Sequence, residues 1–159
     1  MFWAAFGYGI RTSLMPMDGD PLARRGRVTA RIYRQVLDQH LLPILDYAAI
    51  FMHDNAPIHT AHIILQYLRD HGINVMDWPP YSPDLNPIEN LWALLKAEMY
   101  RLFPDLSGMP NTEETLDYLI QCAIHTWDTL DFAILNRLMD TMEHRVAAVL
   151  DAKGWYTKY

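Results

Sequence analysis

One cysteine, Cys122, is all the sequence offers for disulfide chemistry. No internal disulfide can form, and that usage fits a reducing compartment. No apolar run approaches the roughly 20 residues that a membrane-crossing helix needs. The opening MFWAAFGYGI carries no basic leader and does not read as a signal peptide. Cationic side chains are also few: 13 Lys and Arg stand against 19 Asp and Glu, a net charge of −6. A free-standing DNA-binding module usually carries a basic excess. The acidic balance therefore argues against strong autonomous DNA binding, though not against a site that holds cations beside DNA. Internal repeats and low-complexity segments are absent.

What is present is a globular composition. Of 159 residues, 51% are hydrophobic and 20% charged, enough for one domain that buries about 70% of the surface its unfolded chain exposes. Residues 1–8 read as a buried strand, Gly7 and Gly9 as turn residues, and Arg11 to Met17 as a second strand, together a hairpin or two neighbouring strands. Thr29 is placed to cap a helix carrying Ile32, Tyr33, Val36, Leu37 and Leu41, and Pro43 ends it. Tyr47 to Met52 (YAAIFM) is continuously apolar, a buried strand. Asn55 is placed to cap the next helix, with Pro57 in its first turn, an apolar face of Ile58, Ala61, Leu65 and Leu68, and His71-Gly72 as its stop. Ile73 to Trp78 is then a second strand, so the segment reads as a βαβ unit with a parallel pair. After the proline-rich loop Trp78 to Pro83, Asn86-Pro87-Ile88-Glu89 carries a helix start. Pro104 to Pro110 resembles a linker, Asn111 with Glu114 a capping box, and Asp131 the cap of a single last helix that runs to Lys153-Gly154.

Two carboxylates draw the chemistry. Asp54 sits at the carboxyl end of an expected strand, where sites form in open α/β sheets. Glu89 opens a helix after a stiff loop, with thirty-four residues between the two. Hard divalent cations take carboxylate oxygens, and Mg²⁺ usually accepts only one or two from the protein. Spacing alone nevertheless favours a simpler reading, in which Asp54-Asn55 forms a turn and Glu89 completes a capping box with Asn86. His53, His59 and His62 raise zinc, but His59 and His62 stand three apart and no cysteine is near, which disfavours zinc and leaves a histidine that orients a carboxylate or contacts phosphate. Asp84 reads as a turn former, and Trp78 and Tyr81 read as loop packing ahead of base stacking. Arg24, Arg25, Arg27, Arg31 and Arg34 read as a loop and a solvated helix face ahead of phosphate contacts.

The surrounding words shift that balance. HDNAPIHTA followed by WPPYSPDLNPIENLW resembles the catalytic domain of mariner-like transposases in the DDE superfamily, the branch with two aspartates and a glutamate. FWAAFGYGIRTSLMPMDG and the ending RVAAVLDAKGWYTKY resemble the same family, so the likeness covers nearly the whole chain. The resemblance implies an α/β, RNase H-like mixed sheet with flanking helices. It implies a single partial catalytic domain over residues 1–159, with a core at 1–103 and a helical part at 104–159. It makes Asp54 the second catalytic aspartate and Glu89 the final glutamate, both binding Mg²⁺ or Mn²⁺. The implied activity is metal-dependent phosphodiester cleavage followed by strand transfer, with transposon-end and target DNA as partners, a homodimer as the assembly, and the nucleus as location in a eukaryote (the cytoplasm otherwise). Asn55, His59 and Pro79 to Pro87 match motif positions without a separate catalytic step.

Two departures qualify the expectation. The family's first catalytic aspartate lies on a central strand ahead of the segment matched by residues 1–17, and Asp18 and Asp20 stand beyond the strand pair, in the wrong place to replace it. The helix-turn-helix modules that bind transposon ends have no counterpart either. The expectation is a truncated, impaired copy, unstable or dependent on a partner. A non-catalytic DNA-associated or protein-interaction module of the same descent is the second reading, and a carboxylate-pair hydrolase without metal is a remote third. A soluble monomer with Mg²⁺-dependent nicking activity that Asp54→Ala abolishes contradicts the impaired-copy expectation; loss of nicking in both proteins agrees with it.

Overall fold

The computed structural model describes residues 1–24, 26–46, 48–79, 82–155 and 157. They group into two compact units, one of Met1–Trp3 with Pro16–Pro83, the other of Ala4–Met15 with Asp84–Tyr159. The strands are short and pair two by two: β1 Phe2–Trp3, β2 Phe6–Gly7, β3 Ile10–Arg11, β4 Met15–Pro16, β5 Ile50–Phe51 and β6 Asn74–Val75.

In the first unit β5 and β6 run parallel, with Ile50 opposite Asn74 and Phe51 opposite Val75, and the Met76 N–H extends the ladder to the Phe51 carbonyl at 2.9 Å. The βαβ expectation holds, but the second strand is only Asn74–Val75 of the expected Ile73 to Trp78, and the first is likewise shorter. Asp46 explains why: its carboxylate accepts the Ala48 N–H at 2.9 Å and its carbonyl the Ala49 N–H at 2.9 Å. That turn removes 48 and 49 from the ladder; Tyr47 lies outside the described residues.

The connecting helix α2 spans His62–Asp70 and begins later than Asn55 suggested. Its N-cap position is Ala61, with extended ψ of 140° and no side-chain cap. Residues 56–60 form their own turn, in which His59 N–H and Thr60 N–H both donate to the Ala56 carbonyl. The later start rotates the apolar face to Ile64, Tyr67 and Leu68, and Leu65 is exposed. The stop is as expected. Gly72 has a φ of +63°, Ile73 N–H reaches Leu68 O and Gly72 N–H reaches Arg69 O, the paired bonds of a Schellman end.

Helix α1, Ala30–Val36, continues through a π turn at Leu37–Leu41 and buries Tyr33, Val36, Leu37 and Leu41. Thr29 stands at its N-cap, but its hydroxyl donates to Asp20 Oδ2 at 2.7 Å and caps nothing. Asp20 is a buried carboxylate that also accepts the Leu22 N–H and the Arg31 guanidinium, so the loop folds around it. Gly19 is required beside it, because a Cβ there would sit 1.7 Å from the Gly26 carbonyl oxygen.

The second unit holds the β2–β3 hairpin, with Phe6 opposite Arg11 and Gly7 opposite Ile10, and four helices: α3 Pro87–Leu102, α4 Glu113–Thr129, α5 Phe132–Asp140 and α6 Met142–Asp151. Trp127, fully buried on α4, donates its indole N–H to the Thr12 carbonyl at 2.8 Å and stacks on Trp92 of α3 at 5.9 Å. Leu91, Leu95, Cys122, Ala123 and Leu135 fill the same core. The cap of α4 is Thr112, which accepts the Thr115 N–H, one residue past the expected Asn111. Asp131 caps α5 as expected, accepting the Ala133 N–H at 2.8 Å.

The single last helix is corrected to two. Thr141 ends α5 by donating its hydroxyl to the Leu138 carbonyl at 2.6 Å while accepting Arg145 Nε at 2.8 Å. Side-chain bonds of that kind compete with the helical ladder and break it.

The Asp20 cluster carries a pH signature. The Arg31 guanidinium, the Thr29 hydroxyl and the Leu22 N–H hold the Asp20 carboxyl far below the usual range. A depressed folded-state value gives stability that is present above the unfolded carboxyl range, near pH 4, and is lost as pH falls through the folded value. Thermal midpoints between pH 7 and pH 2 should therefore fall less steeply for Asp20→Asn than for the parent, from a lower start at pH 7.

Candidate metal centre

Asp54 leaves β5 three residues past Phe51, where the chain turns toward α2. Its Oδ1 accepts the Ala56 N–H at 3.0 Å, closing the turn that the sequence suggested. The same oxygen faces His59 Nδ1 at 2.6 Å, and the Asp54 carbonyl lies 3.2 Å from that nitrogen. Two acceptors on one side require Nδ1 to carry the proton, so His59 donates to Asp54. The Asp54 side chain is 48% exposed, His59 only 18%. Among the described residues nothing bonds Oδ2. One carboxylate oxygen is thus fixed, and among the described residues the other is open.

Aromatic rings wall the fixed side. His59 stacks on His53 with centroids 5.0 Å apart and planes 16° apart, and its ring lies 4.4 Å from that of Tyr33. Phe51 covers His53 from 5.0 Å. Burial, and then the neighbouring His59, push His53 down to about 4. It is neutral at pH 7, and its Nδ1 shares a hydrogen bond of 3.1 Å with the Tyr33 hydroxyl. Burial raises Tyr33, which stays a donor. Of the two readings left for the histidines, His59 makes the carboxylate contact. His62 is exposed at the start of α2. Asn55 donates its side-chain amide to the Trp78 carbonyl at 2.8 Å, tying this turn to the chain beyond β6 in place of the expected cap. Trp78 is buried, which makes it packing; Pro80 and Tyr81 lie outside the described residues.

Glu89 is the third residue of α3 in the second unit. Asn86 caps that helix, its Oδ1 accepting the Ile88 N–H at 3.4 Å, and Pro87 stands at the first position. The reciprocal half of the expected capping box is missing among the described residues: no hydrogen bond or ion pair holds the Glu89 carboxylate, which is exposed. The cap sets the helix start and leaves the acid free. A free, exposed carboxylate and a half-fixed one are hard oxygen donors of the type Mg²⁺ and Mn²⁺ take, so the residues fit the expected metal. Among the described residues no three His, Cys, Asp or Glu side chains gather into a ready cation cage.

Sequence reasoning missed Arg145. It is buried, and its three guanidinium nitrogens reach Asp84 O at 2.6 Å, Asn90 Oδ1 at 2.6 Å and Thr141 Oγ1 at 2.8 Å. A signal existed: residues 138, 142, 145 and 149 follow helical spacing on the apolar stripe, and a cation there needs buried partners. Asp84, read as a turn former, also anchors Thr157, accepting its N–H and hydroxyl at 2.7 Å each; these two bonds hold its carboxyl below the usual range. Of the basic cluster, Arg31 pairs with Asp20 and Arg34 stands over the Tyr67 ring at 5.8 Å; Arg25 lies outside the described residues.

Comparison with known proteins follows these motifs. Residues 21–109 match the family described as DDE superfamily endonuclease, a span that contains both Asp54 and Glu89. The chain is 31% identical over 145 residues to the transposase of the transposable element Tcb2 of Caenorhabditis briggsae, taking in 88% of this chain and 50% of that protein. The chain spans half or less of the length of the curated transposases it matches. Among solved structures, the catalytic domain of the Mos1 mariner transposase superposes with a TM-score of 0.59 at 19% identity, over 99% of this chain and 82% of that one. A Mos1 mariner paired end complex with Mn gives 0.58 at 21% identity, over 93% and 44%. These likenesses establish the fold as the mixed α/β, RNase H-like one expected.

The two acids differ in what their own units ask of them. Urea unfolding of Glu89→Gln should fall within about 0.5 kcal/mol of the parent, since nothing bonds the side chain. Asp54→Ala should lose about 1 kcal/mol, the worth of the turn and His59 bonds.

Proposed function

The chain belongs to the DDE superfamily of endonucleases, and on that premise we propose that residues 1–159 serve as part of a transposase catalytic domain in which Asp54 and Glu89 are each a ligand for Mg²⁺ or Mn²⁺. The observation that carries the reading is the state of the two acids. Each lies within the span that the family matches, and each has at least one oxygen that no described residue engages. A divalent ion bound there supplies Lewis-acid charge stabilisation for phosphodiester cleavage and for attack by a 3′-hydroxyl.

The chain's own residues do the rest. His59 holds Asp54 by one oxygen and keeps its rotamer from turning away from the ligand direction. Neutral His53 and protonated Tyr33 back the His59 ring without adding charge. The Asn86 cap fixes where α3 begins and so where Glu89 leaves the backbone. A third carboxylate, the family's first aspartate, has no counterpart that the motifs identify in residues 1–159, and a full cleavage site requires it. DNA, with transposon ends and target as its two forms, is the proposed partner, in a homodimer and, in a eukaryotic cell, in the nucleus. No helix among the described residues is long and apolar enough to cross a membrane.

Mn²⁺ titration followed by water-proton relaxation tests the reading. Binding to the parent, weakened by more than about tenfold in both Asp54→Asn and Glu89→Gln, is the expected result. Equal affinity in all three proteins overturns it and leaves the non-catalytic module as the better description.

A further inference from the structure

Arg145 is an expensive residue to place where it is. A buried guanidinium loses its hydration, and a well-packed apolar side chain would avoid that loss. The start of α3 makes the placement less favourable still, because the amino end of a helix carries partial positive charge. The nearby Asp84 carboxylate offsets part of this, since Arg145 is among the groups that hold it low. What an apolar residue could not provide is the geometry of the bonds. Nη1 takes the carbonyl of Asp84, two residues before the Asn86 cap, and Nη2 takes the side-chain oxygen of Asn90, four residues after it. One planar group therefore grips the chain on both sides of the helix start. Nε holds Thr141, the residue at which α5 breaks and α6 begins.

We propose that Arg145 is the positioning residue for Glu89, setting the rotation of the first turn of α3 through its bond to Asn90. The inference rests on the reading of Glu89 as a metal ligand. Glu89 and Asn90 are consecutive, so about 100° of helix separates their side chains. Holding Asn90 toward the buried guanidinium fixes the direction in which exposed Glu89 leaves the helix. Asn86 sets the axial start, its side chain accepting the Ile88 N–H at 3.4 Å and its carbonyl the Glu89 N–H at 3.2 Å, and among the described residues no bond holds the Glu89 side chain itself. The clamp supplies rotational definition without touching the carboxylate.

The test is Mn²⁺ affinity of the full chain in a mutant cycle of Asn90→Ala and Glu89→Gln, with circular dichroism and thermal midpoint recorded for each protein. Asn90→Ala should weaken Mn²⁺ by roughly tenfold, the usual size of an outer-contact effect, with helix content unchanged. In the Glu89→Gln background the same change should have no further effect, because no carboxylate remains to be positioned. Arg145→Lys, which keeps the charge and loses the fork, should reproduce the loss and not add to it. If Arg145→Lys fails to fold, the Asn90 cycle decides alone. Asn90→Ala with parental affinity, or with the same loss in both backgrounds, overturns the positioning role while Glu89→Gln still reports a ligand. Parental affinity in Glu89→Gln itself overturns both this inference and the metal reading it rests on.

Discussion

A carboxylate that binds a cation must be held still without being used up by its own protein. The two candidate acids meet that constraint in different ways. Asp54 gives one oxygen to the Ala56 N–H and to His59 and keeps the other open. Glu89 gives nothing, and its direction is set through the backbone by the Asn86 cap and the Asn90–Arg145 bond on the same helical turn. Much of the surrounding structure follows from these needs. The Tyr33, His53 and Phe51 wall stiffens His59, and the break at Thr141 lets α6 present Arg145 to the start of α3.

The framework was legible where one residue type leaves one local solution. Gly72 could be read as a helix stop because only the left-handed conformation it adopts closes that end. Pro87 after Asn86 could be read as a helix start for the same reason. The misreadings arose where a side chain had two possible partners. Asn55 can cap a helix, but in the fold it bonds the Trp78 carbonyl, and α2 begins at His62. Glu89 can complete a capping box, but its carboxylate stays free. Thr141 gives no sign in the sequence of ending a helix, because a threonine hydroxyl that bonds the preceding turn, as Thr141 bonds the Leu138 carbonyl, also occurs within helices. The site residues themselves were legible only through the motif strings, since spacing alone favoured turn and cap.

Charge is distributed in keeping with the acidic total. Arg31 pairs with Asp20, Arg11 donates to the carbonyls of Asp128 and Leu130 at the end of α4, and Arg145 is internal. These cations are committed to folding, where a nucleic-acid surface would need them exposed to phosphate.

The central claim of the proposal is that Asp54 and Glu89 are both metal ligands. Fe²⁺ substituted at the site, with ascorbate and peroxide, cuts a polypeptide beside the bound ion, and the fragments can be located by mass spectrometry. Cuts clustered near both residue 54 and residue 89, suppressed together by excess Mg²⁺, are the predicted result. Cuts near only one of the two, or near neither, contradict the account.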